Sequence, residues 1–300
     1  MSIVERALEK TKDSVERPRP ATATEPRELA PKPVPTDVAA QRAHANALAR
    51  LEQPAHSVDL DQAALFEAGL VTDSEDASRL RDEFRRLKWP LLEVAQTRQL
   101  PDANSGRLLM VTSAVPGEGK TFTGFNLAVA LADERDSMVV LVDADIAKPK
   151  LTHSLGLQAR PGLADFLADE RLEIHDILVG TSVPNLRIVP AGRFNTHAPE
   201  LIGSQRMRQL LTQLDAACAN PTVLFDSSPL LVTNAGQVLS GLVGQIVMVV
   251  KADATPQSAV TEALSMLKKN ASVGLVLNQS RPTFGSHLYG EYYGFSRERE

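Results

Sequence analysis

The chain has 300 residues, 43% of them apolar and only 4% aromatic, with a formal net charge of −5. That is enough apolar side chain for one sizeable core, while the negative balance and the lack of a lysine/arginine-rich block argue against a nucleic-acid protein. A single cysteine, Cys218, excludes a disulfide framework and a cysteine metal site, and the six scattered histidines show no ligand spacing.

In chain order, Ser2 and Glu5 have capping-box spacing, and Ile3, Val4, Ala7 and Leu8 form a short apolar stripe. A short helix is expected within residues 1–14. Six prolines fall between Pro18 and Pro35. Such a segment buries too little apolar surface to offset its ordering entropy, so residues 15–60 read as a disordered linker. Residues 61–99 are expected to be helical: Leu80, Phe84, Leu87 and Leu91 recur at spacings of four, three and four, and Pro90 should bend or divide that helix. No apolar run is long enough to span a bilayer and no basic-then-apolar leader opens the chain. A cytoplasmic protein that reaches a membrane only through a partner is the expectation.

The stretch that organises the chain is Leu108 to Phe122. An apolar strand leads into Ala114-Val115-Pro116-Gly117-Glu118-Gly119-Lys120-Thr121 and then into a helix running to about Ala132. The spacing is that of a phosphate-binding loop, G-x-x-x-x-G-K-[ST], with Ala114 where the first glycine usually stands. Gly117 and Gly119 let backbone N–H groups approach phosphate oxygens without a Cβ in the way. The following helix points its positive end at the same anion. Lys120 can reach the β- and γ-phosphates of ATP, and Thr121 offers a hydroxyl to Mg²⁺.

Beyond it, residues 137–143 form an apolar run that ends in two carboxylates, Asp143 and Asp145. Residues 151–180 look helical and loop-like, residues 186–191 make a short strand, and a long helix is expected over 199–219. Residues 222–226 repeat the pattern of an apolar strand ending in an aspartate, Asp226, a candidate holder of Mg²⁺ across from Thr121. Strands over 245–251 and 273–278 flank a helix at about 256–269. Strands alternating with helices predict an α/β domain over residues 100–280, with a mainly parallel sheet of five to seven strands and the carboxylates at its carboxyl edge. The last twenty residues, 281–300, are glycine-rich and aperiodic, and they hold all three tyrosines, Tyr289, Tyr292 and Tyr293.

The phosphate loop, the Asp143-Ala144-Asp145 strand end, the later Asp226 strand and the tyrosine tail together resemble the bacterial tyrosine autokinases of exopolysaccharide and capsule synthesis, the BY-kinases. Within that family the stand-alone form associated with exosortase-type loci is the most similar. The resemblance spans residues 78–295. It implies a P-loop NTPase fold of the MinD/ParA kind, with Walker A, A′ and B motifs at Lys120, Asp143 and Asp226. It implies ATP contacts from Pro116, Gly117, Glu118, Gly119, Lys120, Thr121, Phe122 and Asn278, and Mg²⁺ held by Thr121, Asp143 and Asp226. Catalysis would fall to Lys120, Asp143, Asp145 and Asp226, with Tyr289, Tyr292 and Tyr293 as phosphate acceptors. The family's ring-forming Glu, Arg, Arg helix motif stands here as Asp82, Arg85 and Lys88. Implied partners are further copies of the chain in an octamer-like ring, a separate membrane chain-length determinant protein that recruits it to the membrane, and a tyrosine phosphatase.

Two departures stand out. Ala147 and Lys148 occupy positions where many members carry arginine, and Ser228 replaces a proline. Two other readings share the fold. A partitioning ATPase would carry a lysine where this chain has Val115 and has no use for a tyrosine tail. An ATP-gated scaffold without catalysis would not need Lys120, Asp143 and Asp226 together.

Overall fold

Strands made of unbroken apolar runs need cover on both faces, and the chain supplies it with helices between successive strands. The computed structural model describes residues 56–71, 77–95, 105–134, 138–218, 221–268 and 271–280. The expected N-terminal helix, nearly all of the linker and the tyrosine tail lie outside the described residues.

Among the described residues eight strands form one sheet. They are β1 (Ser57–Val58), β2 (Leu108–Ser113), β3 (Val139–Asp143), β4 (Val179–Thr181), β5 (Leu186–Val189), β6 (Thr222–Asp226), β7 (Gln245–Lys251) and β8 (Ser272–Asn278). The order is β1-β4-β5-β3-β6-β2-β7-β8, parallel throughout except between β4 and β5. The count exceeds five to seven because β1 and β4, at one edge, are too short to show a period. β1 also falls at the end of the range read as linker.

The helices are α1 (Gln62–Glu67), α2 (Ala77–Ala95), α3 (Lys120–Ala132), α4 (Lys150–Ser154), α5 (Leu163–Ala168), α6 (Ile174–Ile177), α7 (Ala198–Ile202), α8 (Gln205–Ala217), α9 (Asn234–Ser240) and α10 (Gln257–Met266). The single helix expected over 199–219 is two, because Gly203 ends α7 and Ser204 turns extended before α8. Pro90 does not divide α2. Tertiary contacts hold the turn beyond it: Leu91 and Leu92 pack on the core, and Gln245 Nε2 donates to the Leu91 carbonyl at 2.9 Å.

Alternate strand residues feed two cores, one on each face of the sheet. Leu109, Val111, Leu141, Leu224 and Val247 pack under α2 and α3, with Phe84 and Phe125. Met110, Val140, Val142, Phe225 and Met248 pack under α5 and α7–α10. The parallel strands therefore end together, and Ser113, Asp143, Asp226, Lys251 and Asn278 share one carboxyl edge. No helix among the described residues is long and apolar enough to cross a membrane.

Candidate active site

The phosphate loop leaves β2 at this edge and turns directly into α3. Gly117 and Gly119 take φ of 85° and 92°, the left-handed region that side chains disfavour. Gly119 is also the residue that starts α3, with no side-chain cap on the helix N–H groups. A Cβ there would run into the Asn278 side-chain amide. Open N–H groups at a helix start, inside a turn of this curvature, are suited to an anion.

Glu118 does not face the cradle with its side chain. It is buried, and its carboxylate accepts from Val115 N at 2.8 Å, from Lys251 N at 3.2 Å and from the Thr255 hydroxyl. It is a strut that ties the loop to the turn after β7, so only its backbone is left for a ligand. Asn278 Nδ2 donates to the Glu118 carbonyl at 2.8 Å, bringing the end of β8 onto the same loop. The Phe122 ring packs against Phe84, with centroids 6.3 Å apart. Pro116 is exposed. A cavity of about 610 Å³ lies against the outer side of the loop, lined by Gly117, Gly119, Phe122, Leu80, Leu277 and Asn278 among others. That volume suits a ligand of nucleotide size.

On the inner side, Asp143 and Asp226 end neighbouring strands as register partners, and both are buried. α3 passes over this pair at Gly124, where a Cβ would come into ordinary van der Waals contact with Val111 and Asp226. Lys120 Nζ sits 3.3 Å from Asp145 Oδ2. Asp145 N in turn donates to Asp143 Oδ1 at 3.2 Å. Asp143 Oδ2 accepts from both the backbone N and the hydroxyl of Thr152, at 2.8 and 2.7 Å. Lys120, Asp143, Asp145, Asp226 and Thr121 are thus gathered at one place. Thr152 completes the set, and no sequence spacing pointed to it. Of the two departures, Lys148 is exposed, and Ser228 is buried with its hydroxyl on Thr233.

Burial raises the carboxyl of Asp143 above the usual carboxylate range, although the Thr152 bonds pull the other way. Burial raises Asp226 as well, the charge of Asp143 adds to it, and Lys120 offsets part. The Thr121 hydroxyl faces Asp226 and favours its charged form, but no donor completes a full hydrogen bond to either oxygen. Two buried carboxylates side by side, one of them with no complete hydrogen bond, suit a cation. The donors on offer, carboxylate oxygens and the Thr121 hydroxyl, suit a hard oxygen-seeking ion such as Mg²⁺. Among the described residues no three His, Cys, Asp or Glu side chains form a metal cage.

The set Asp82, Arg85 and Lys88 does not share one exposed face. Asp82 and Arg85 are exposed, 3.8 Å apart. Lys88 is 5% exposed, donates to the Ala130 carbonyl at 3.0 Å and pairs with Glu134 at 2.8 Å. The reason is helical spacing: Lys88 follows the buried Phe84 by four residues and therefore faces the core. The negative end of α3 receives its ammonium. Trp89, which the sequence reading passed over, is 62% exposed and lies on the side of Asp82 and Arg85.

No family model matches the chain. It is 26% identical over 231 residues to the tyrosine-protein kinase YwqD of Bacillus subtilis, across 76% of this chain and 92% of that protein. It is 30% identical over 188 residues to the tyrosine-protein kinase Wzc of Salmonella typhimurium, across 62% of this chain. The chain spans about a quarter of the length of Wzc and of other curated relatives that it matches. Among solved structures, the VpsO kinase domain superposes with a TM-score of 0.57 at 24% identity, covering 70% of this chain and all of that one. The BceF tyrosine kinase domain gives 0.54 at 25% identity, covering 65% and 76%.

Proposed function

Because the chain belongs to the bacterial tyrosine-kinase (BY-kinase) family, we propose that it transfers the γ-phosphoryl group of ATP to its own tyrosines, Tyr289, Tyr292 and Tyr293. The observation that carries this reading is the buried pair Asp143 and Asp226 beneath a phosphate loop, with only the Thr121 hydroxyl facing Asp226 and Lys120 held close by. The loop N–H groups and Lys120 bind and orient the phosphates. Thr121 and Asp226 would hold Mg²⁺, which when bound supplies charge neutralisation on the transferred group. Asp143, raised in pKa by burial, takes the phenolic proton as the tyrosine oxygen bonds to phosphorus and ADP leaves. Asp145 positions Lys120, and Thr152 positions Asp143.

Two further parts of the proposal concern partners. Asp82, Arg85 and the exposed Trp89 form a contact between copies of the chain. A membrane protein of polysaccharide export, together with a tyrosine phosphatase, completes a cycle in which tail phosphorylation regulates polymer export. Mass spectrometry and anti-phosphotyrosine detection on the purified chain with ATP and Mg²⁺ test the central step. A partitioning ATPase or a non-catalytic scaffold would leave the tyrosines unmodified.

A further inference from the structure

The loop that follows β5, residues 190–197, borders the carboxylate pair on the side away from β8. Its root is fixed. Ala191 N donates at 2.9 Å to the Thr152 hydroxyl, the same group that holds Asp143. The carbonyls of Pro190 and Ala191 accept from Leu163 N and Ala164 N at 2.8 and 2.9 Å. Asp165 Oδ2 accepts from Arg193 N at 3.2 Å. Gly192 takes a φ of 80° where it packs against Gly162 and Asp165. Beyond that root the side chains turn outward. Phe194 is 69% exposed, and the exposed Arg193 guanidinium has Asp165 3.7 Å away.

A single exposed phenylalanine on a surface loop needs no explanation in general. This one stands one residue from a cation and three residues beyond Ala191, whose N–H bonds the Thr152 hydroxyl that holds Asp143. We propose that Arg193 and Phe194 form the docking lip for the acceptor segment, residues 289–293, with Phe194 against a tyrosine ring and Arg193 on the carboxylate of Glu291. This rests on the kinase reading above. Charge and ring chemistry match: the segment is Tyr289-Gly-Glu-Tyr-Tyr293, an acid set among aromatics. Reach also matches. From β8 to β5 is five strand spacings, roughly 24 Å at about 4.8 Å each. The stretch from Asn278 to Tyr289 extends to about 36 Å. The segment of the same chain or of a second copy can therefore lie across the site with a tyrosine hydroxyl over Asp143.

The test follows phosphate on residues 289–293 by mass spectrometry in the full chain, at saturating ATP and Mg²⁺, alongside titration with a fluorescent ATP analogue. Phe194→Ala is expected to slow tail phosphorylation about tenfold and leave nucleotide affinity unchanged, and Phe194→Trp to stay near the wild-type rate. Arg193→Glu is expected to slow it as well, and pairing it with Glu291→Arg to restore it. Wild-type tail phosphorylation in Phe194→Ala, or a charge swap no faster than Arg193→Glu alone, overturns the lip and leaves the kinase reading standing. Loss of nucleotide affinity in Phe194→Ala also overturns it, since the loop would then serve the fold. A wild-type chain that makes no phosphotyrosine removes the kinase reading, and the lip with it.

Discussion

Lys120 Nζ lies 3.3 Å from Asp145 Oδ2, both largely buried, so the cation of the phosphate loop is held in place before any phosphate arrives. A charge fixed in advance costs no reorganisation when the transition state forms. Lys120→Met should therefore lower autophosphorylation by on the order of 10²–10³-fold, with the fold kept but its stability lowered by about 1–3 kcal/mol because Asp145 loses its partner. Asp145→Asn, which only loosens the lysine, should cost about tenfold. A Lys120→Met chain that phosphorylates at the wild-type rate would take that residue out of the mechanism.

The carboxylate pair predicts a stability that depends on pH. Folding raises Asp143 from 3.8 to about 6 and Asp226 from 3.8 to about 7, so the native state binds more protons than the unfolded chain across that window. Stability of the nucleotide-free protein should fall as pH rises through it and level off above about 7. Asp226→Asn removes one charge of the pair. At pH 8 it should stabilise the fold by on the order of 1–3 kcal/mol in urea denaturation, while weakening Mg²⁺-nucleotide binding. An asparagine variant less stable than wild type at pH 8 would contradict the reading of the pair as a strained cation site.

Glu118 makes a separate prediction about the loop. Its carboxylate accepts three hydrogen bonds from the loop and from the turn after β7. Glu118→Gln places an amide N–H against at least one backbone donor, Val115 N or Lys251 N, whichever way the amide turns, and a mismatched buried group costs about 1–3 kcal/mol. Nucleotide affinity should fall at least tenfold, as read by titration with a fluorescent analogue. Thr255→Val in the same background should add little, because the two changes remove one shared bond. Fully additive losses would show that the strut does not act as a unit.

For assembly, the exposed face of α2 and its buried lysine should separate cleanly. Asp82→Ala, Arg85→Ala and Trp89→Ala together should shift the chain towards monomer in sedimentation with little loss of stability, since all three side chains are exposed. Lys88→Ala leaves Glu134 without its partner and should instead lower stability by about 1–3 kcal/mol. The assignment fails if the triple variant sediments like wild type, or if Lys88→Ala changes assembly while keeping full stability.

How much of this was legible in the sequence depended on the range of the signal. β2, β3, β6 and β7 are nearly unbroken apolar runs because these strands are covered on both faces, and their residues announce it locally, whereas the edge strand β8 is apolar with Leu275 and Leu277 exposed. The loop at 114–121 and the strand-ending Asp143 and Asp226 were legible for the same reason. Thr152 was not, because its value arises from β3 and the loop after β5 meeting around it, and its neighbours in the chain carry no trace of that. Glu118 looked like one more loop residue facing a ligand, yet Thr255 and Lys251 reach it from 133 residues or more away. The resemblance carried Asp82, Arg85 and Lys88 over as one set, and it is the buried Phe84, four residues before Lys88, that turns this lysine to the core. β1 and β4 owe their existence to the edge they pair with.

The most direct test of the central claim is mass spectrometry of the purified chain after incubation with ATP and Mg²⁺. Phosphate on Tyr289, Tyr292 and Tyr293, and none in Lys120→Met, is the predicted result. Phosphate found only outside residues 289–293, or a Tyr289→Phe, Tyr292→Phe, Tyr293→Phe chain that autophosphorylates like wild type, would contradict it.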